Sequence, residues 1–454
     1  MRIFKLKVLG TVLILGIILL YFSLVPRFLE NIAPFYGDEY FYVKNAESYA
    51  LTGEYKAAFT YSGYGSKVGG FDAHGPAYTF LYGLFQAFDH WSPNFIFWIN
   101  LALLLIGLGL LAILKEEKSI RIFQFCLIMG SPYTLFYGMS LMPELIHIAI
   151  AVGLYFAMKT WETKQSNISL GVILFLIILG GLFRVTWFFL LLPFGLNILT
   201  KKKAIGIILL ITGLLLPILY QNLFLETVPN VFSIVGSELK DGQLQDGIYR
   251  LYYNTKRNIY FLITYSEGGF YWTWKIWLIC TLIFSLVYQK TSSAFRISTY
   301  LFLIQFALTI ILYKTYRWTE FRMLSPVALI LNLQFLSFSG KRPYFLWVPI
   351  LGLISFLWII PFEIDTLEER KEHTLLPIPS NIQSELKTLS NSLVRVDSTV
   401  LNLYSLDQLP VVDTLGKSIK YILPYYELKE ETASYYLEMD QDQLIVRSTK
   451  IRIQ

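Results

Sequence analysis

Long stretches of the chain are apolar on every side rather than along one face. They lie at about 8–25, 94–114, 121–140, 145–161, 168–183, 185–200, 203–225, 271–289, 295–313, 323–339 and 344–361. A helix without a polar face has nothing to offer water, and a straight membrane span takes roughly 20 such residues. The pattern therefore predicts about eleven spans, several short enough to need a tilted or broken helix. Beyond residue 361 the pattern changes. Residues 363–389 are charged and helix-compatible, and from Val394 the runs VRVDSTVLNLYSL, SIKYIL, SYYLEM and QLIVRSTKIRI alternate as strands do. The expected fold is an all-α polytopic membrane protein, residues 1–361, with a small α+β domain at 362–454 outside the membrane.

Composition agrees with this. Of 454 residues 55% are hydrophobic, 17% aromatic and 15% charged, outside the range of an ordinary soluble domain. A formal charge of +6 would suit nucleic acid if the cations shared one surface, but here they fall in short clusters between apolar runs. With the N-terminus inside, the cytoplasmic loops carry 115–121, Lys159 and Lys164, 201–203, 289–296, and Lys341 with Arg342. The opposite side then holds the long loops 26–93 and 226–270, the turns near Glu144 and Arg184, the short loop 314–322 and the tail. Long loops carry function, so chemistry is expected on that outer face of a cytoplasmic membrane. This orientation requires the segment 74–88, HGPAYTFLYGLFQAF, to be an interfacial or re-entrant helix opened by Pro76. The N-terminal MRIFKLK before the first apolar run reads as a signal anchor rather than a cleaved signal peptide, because no small-x-small site follows it.

Candidate chemistry is sparse. Cys126 and Cys280 lie inside apolar runs and read as small buried hydrophobes, neither a disulfide nor a metal site. His74, His90 and His147 form neither HxxxH nor HExxH, and no nucleotide-binding glycine motif stands out. Ionisable groups at membrane depth are costly and so draw attention, and four clusters qualify. Asp38-Glu39 follows the first span, where Asp38 either caps a helix running to about Leu51 or belongs to a site. Glu144 follows Pro143 and is either a helix-start carboxylate or a functional acid. Arg184, in GGLFRVTWFF, either snorkels to the interface or binds an anion through its fork. Arg317, Glu320 and Arg322 are either a rim network or substrate contacts.

The residues resemble a known family. Asp38-Glu39 beyond the first span, followed by Tyr42, Ala46 and Gly53 and then Gly75-Pro76 opening a helix, resembles the first outer loop of the GT-C fold glycosyltransferases, which include the protein O-mannosyltransferases and the lipid A aminoarabinose transferases. Arg184 before Leu191-Leu192-Pro193 is similar to that family's arginine-containing span, Glu144 to its second acidic residue, and FRMLSPVALI at 321–330 to its late arginine segment. Gly-Pro at 75–76 replaces the commoner Pro-Pro or Lys-Pro, and Phe321-Arg322 replaces Arg-Tyr. The resemblance implies transfer of a sugar from a polyprenyl-phosphate donor to an acceptor outside the membrane, be it a cell-envelope glycan, a lipid or a protein, with inversion at the anomeric carbon. It implies Asp38 as general base, with Glu39 and Glu144 positioning the acceptor. Arg184 and Arg322, with Lys67 and His74, would neutralise the departing phosphate, and Tyr42, Arg317 and Glu320 would touch substrate. Where a divalent cation, magnesium or manganese, is used, Asp38 and Glu144 would hold it. The competing classes are a transporter or lipid-linked glycan flippase, which calls for mid-membrane charges and paired repeats, and a lipid-linked polymerase, which calls for a late arginine-rich outer loop. In 226–270 the arginines are Arg250 and Arg257.

Overall fold

Where no water reaches the backbone, every N–H and C=O must be satisfied within the chain, and the apolar runs accordingly fold as helices. The structure, a computed structural model, describes residues 2–30, 32, 34, 37–61, 70–71, 74–84, 92–200, 202–224, 231–264, 269–287, 293–312, 322–338, 342–372, 375–389, 392–423 and 433–448. Along the chain come α1 (Arg2–Glu30), α2 (Gly37–Thr52), β1 (Phe59–Tyr61), α3 (Pro76–Leu84), α4 (Asn94–Ile113), α5 (Lys118–Met129), α6 (Pro132–Tyr137), α7 (Glu144–Lys164) and α8 (Asn167–Phe183). A tight 3-10 segment, Val185–Leu190, leads into α9 (Leu191–Leu199). Then follow α10 (Lys203–Phe224), α11 (Val231–Lys240), α12 (Leu244–Ile263), α13 (Gly269–Val287), α14 (Ser293–Leu312), α15 (Ser325–Phe338), α16 (Arg342–Glu372) and α17 (Ser380–Thr388). The tail ends with β2 (Leu393–Val396), α18 (Ser398–Leu403), β3 (Lys420–Leu423), β4 (Tyr435–Asp440) and β5 (Gln443–Ser448).

Among the described residues, five helical stretches are long and apolar enough to cross a membrane: Val8–Glu30, Asn94–Ile113, Lys203–Phe224, Ala294–Leu312 and Ile350–Glu369. Shorter apolar helices cover Asn167–Phe183, Val185–Leu199, Trp272–Val287 and Arg322–Ser337. Eleven spans are not found among the described residues, and several of the runs are interrupted locally. The run 121–140 is cut at Gly130-Ser131-Pro132, where Ser131 Oγ caps the new helix α6 by accepting from the Thr134 N–H at 3.1 Å. The run 185–200 opens as the 3-10 segment, and α7, though 21 residues long, carries Glu144, Lys159, Glu162 and Lys164. The segment 74–88 forms only the nine-residue α3 within its described part, too short to cross, with Pro76 at its first position as its sequence suggests.

The chain divides into two compact units. The first, Met1–Phe28, Asn100–Ile218 and Asn230–Thr366, is helical. At its centre α7 is buried along most of its length and packs on α6, α8 and α15. The later part of α7 is held by a partly buried carboxylate. Glu116 Oε1 accepts from Tyr155 Oη of α7 at 2.9 Å and from Ser337 Oγ of α15 at 2.5 Å, while Glu116 Oε2 accepts from Gln124 Nε2 of α5 at 2.6 Å. Charged acceptors make the stronger hydrogen bonds, so this network sets the register of α5, α7 and α15.

The second unit comprises Leu29–Ile99, Leu219–Pro229 and Leu367–Gln454. Its five-stranded sheet runs in the order β1-β3-β2-β4-β5, parallel except for the β4–β5 hairpin. The edge strand β1 comes from the long loop 26–93, pairing Phe59 with Tyr421, so that loop and the tail build one sheet and one core. Helix α2 lies on it by a helical stripe. Phe41 meets the Phe59 ring edge-on at 6.3 Å, Asn45 both accepts from the Phe59 N–H at 2.8 Å and donates to the Phe59 C=O at 3.3 Å, and Ser48 Oγ bonds Ser418 Oγ at 2.9 Å. One expectation fails: residues 398–403, expected as strand, form α18, because Asp397 Oδ1 accepts from the Thr399 N–H at 2.8 Å and caps a helix there.

On another face α2 packs against α3 at Gly83, where an added Cβ would lie 2.5 Å from Tyr49 Cδ1 and 3.0 Å from the Ala46 carbonyl oxygen. Tyr49 can turn aside but the Ala46 backbone cannot. Gly83→Val is expected to destabilise the second unit by about 2 kcal/mol, the usual cost of overpacking, read as a lower midpoint in thermal unfolding of the solubilised protein.

Candidate functional site

In the first unit the sequence places Glu144, Arg184 and Arg322 far apart, and the fold brings them together. Pro143 precedes α7, so Glu144 enters at the first turn, where the helix dipole favours an anion. Arg184 ends α8 in extended conformation, φ −151° and ψ 112°, and the chain then folds back as the 3-10 segment. That return needs Gly180 and Gly181, since a Cβ on either would sit 2.6 Å from the Trp187 ring or 2.3 Å from the Phe188 ring. Arg322 lies in the tight turn just before α15.

Glu144 is fully buried, with Arg184 and Arg322 at 13% and 17% exposure. Arg184 Nη2 donates to Glu144 Oε1 at 2.6 Å and to Oε2 at 2.7 Å, and Arg322 Nε stands 3.5 Å from Oε1. Tyr133 Oη donates to Oε2 from α6, and Tyr137, one turn later, lies in the field of Arg322. Both phenols pack edge-on against Trp274 of α13, at 5.6 and 6.0 Å, and its Nε1 donates to Ser325 Oγ at 2.9 Å. One turn along α7 from Glu144, His147 Nδ1 accepts from Trp187 Nε1 at 3.1 Å, which holds the imidazole as the neutral Nε2–H tautomer. Two guanidiniums are thus oriented on one carboxylate inside a wall of aromatic rings. Such a setting suits recognition of an oxyanion, since guanidinium forks match phosphate oxygens and weak solvation strengthens the attraction.

The remaining candidates belong to the second unit. Asp38 and Glu39 stand in the first turn of α2, which begins at Gly37, so Asp38 lies inside the helix instead of capping it. Glu39 is fully buried, while Asp38 Oδ2 lies 3.8 Å from His74 Nε2. Tyr42, one turn on, packs its ring 4.7 Å from His74 and 5.0 Å from Tyr78, holding the imidazole beside the acid. A carboxylate paired with an imidazole can accept and pass on a proton. Lys67, Arg317 and Glu320 lie outside the described residues.

Glu144 does not fit the expected cation role, because its two oxygens face two guanidiniums and a phenol, a field that repels a divalent ion. Among the described residues no group of three or more His, Cys, Asp or Glu side chains gathers in a form able to hold a metal. Sequence reasoning missed Tyr133, Tyr137, Trp274 and Ser325. The i, i+4 tyrosines of SPYTLFYG were the available signal for the first pair; nothing local marked Trp274 or Ser325.

Glu144→Gln removes the shared counter-charge of both arginines. It is expected to destabilise the first unit by about 3–5 kcal/mol, the cost of breaking a buried pair. Adding Arg184→Gln should recover part of that loss, a non-additivity measurable by unfolding each variant in the same nanodiscs. No protein-family model matches this chain, and comparison with curated proteins finds no match.

Proposed function

We propose that the protein is a membrane glycosyltransferase that moves a sugar from a polyprenyl-phosphate donor to an acceptor outside the cytoplasmic membrane. The observation that carries this reading is the convergence of Arg184 and Arg322 on buried Glu144 within a helical, membrane-type unit. A lipid-linked sugar phosphate needs its phosphate held and its developing charge neutralised as the bond from the anomeric carbon to the phosphate oxygen breaks. Guanidiniums locked by a buried carboxylate supply fixed charge at little reorganisation cost. Glu144 then acts as a positioning residue for the arginines. The proton released by the acceptor hydroxyl goes to a carboxylate, and Asp38, beside His74 at the start of α2, is assigned that part by the family resemblance. A single displacement of this kind inverts the anomeric centre. The gathering of Glu144, Arg184 and Arg322 into one local cluster supports this reading over a transporter, which needs charges along a path.

The test is transfer of labelled sugar from polyprenyl-phosphate sugars by the wild-type protein in membranes and by Asp38→Asn. The variant is expected to lose about 10²–10⁴-fold in kcat, the usual worth of a general base, while keeping its fold. Near-normal transfer by a folded variant removes the base assignment. Wild type inactive with every such donor removes the class. Arg322→Lys, which keeps charge but loses the fork, is expected to raise KM for the donor, read from donor titrations in the same assay.

A further inference from the structure

The hairpin α11–α12, in the first unit, takes no part in the charge cluster, yet its surface is sharply divided. One face of α12 is buried through Gly247, Asn254, Asn258 and Leu262. The opposite face sets Tyr249, Tyr252, Tyr253, Tyr260 and Ile263 in a stripe at helical spacing, each more than half exposed at 67%, 62%, 57%, 60% and 57%. Lys256 lies within the stripe, exposed. The acids Glu238, Asp241 and Asp246 sit toward the hairpin turn, where Glu238 pairs with Arg250. So large a run of exposed tyrosine on a helix with a satisfied inner face calls for a covering partner.

Its docking tells what covers it. The carbonyls of a helix's last turn have no partner within the helix. Asn254 Nδ2 donates to the Ile311 carbonyl at 2.8 Å and Asn258 Nδ2 to the Ile310 carbonyl at 2.9 Å, so two asparagines one turn apart cap the end of α14. Ala294–Leu312 of α14 is long and apolar enough to cross a membrane, and the end of such a helix lies at the boundary between lipid and water. The asparagines therefore fix α12 at that level. Tyrosine, apolar in its ring and polar at its tip, is the residue of that boundary, and a lysine among such rings can reach headgroup phosphate oxygens. We infer that α12 is an interfacial helix whose tyrosine face lies in the headgroup layer of the membrane that α14 crosses, with phospholipid as its partner.

The test places p-benzoylphenylalanine at Tyr253 and, separately, at Tyr260 of the full-length protein in nanodiscs of phosphatidylglycerol and phosphatidylcholine. Leu415, an exposed residue of the tail domain, serves as control. After irradiation, mass spectrometry is expected to find phospholipid adducts at both stripe positions, several-fold above Leu415. Adduct yields no higher than at Leu415, or cross-linking of Tyr253 and Tyr260 positions to a second copy of the chain, overturn the inference.

Discussion

A carboxylate sealed inside an apolar helical unit persists only if opposite charge comes to it, and the first unit is organised around that need at Glu144. Desolvating one carboxylate costs several kcal/mol, and the fold answers with two guanidiniums and a phenol. The surroundings follow from keeping those groups in place. Gly180 and Gly181 let the chain return over α8 so that Arg184 is set at the turn, and Ser131 and Pro132 start α6 so that Tyr133 is presented to the same oxygen. The Glu116 network fixes α7 and α15 elsewhere along their lengths, so the register that places Glu144 and Arg322 is held at more than one point.

The second unit obeys a different constraint. Its edge strand is only three residues long and would not persist alone, and it is held because α2 covers it. Asn45 satisfies both backbone groups of Phe59, Phe41 enters the sheet core, and the opposite side of α2 meets α3 without room for a side chain at Gly83. Asp38 is presented from the first turn of α2, and His74, two residues before α3, stands beside it under the Tyr42 ring.

Much was legible in the linear pattern. Apolar runs announced helices, alternation announced β3, β4 and β5, and Pro76 and Pro143 marked helix starts. Charges stranded among apolar residues pointed to Glu144, Arg184 and Arg322 as residues of interest. What misled was length: an apolar run does not say where a serine cap or a 3-10 turn will cut it, so eleven runs gave five stretches long enough to cross among the described residues. Residues 398–403 alternate like a strand, and the cap by Asp397, a single local hydrogen bond, turned them into helix.

By itself the sequence determined the solvent and the local elements, because burial of apolar groups and helix or strand periodicity depend on neighbours along the chain. The partners of each charge were decided by tertiary structure alone. The sequence left Glu144 open to several roles, and only the approach of Arg184 and Arg322, 40 residues away in the first case, made it an organiser of cations. Likewise nothing in the order of residues joined β1 to β3 or set Asn254 and Asn258 on the end of α14. Coulomb attraction and hydrogen bonding act through space, over a few ångströms, and the fold alone sets which groups come that close.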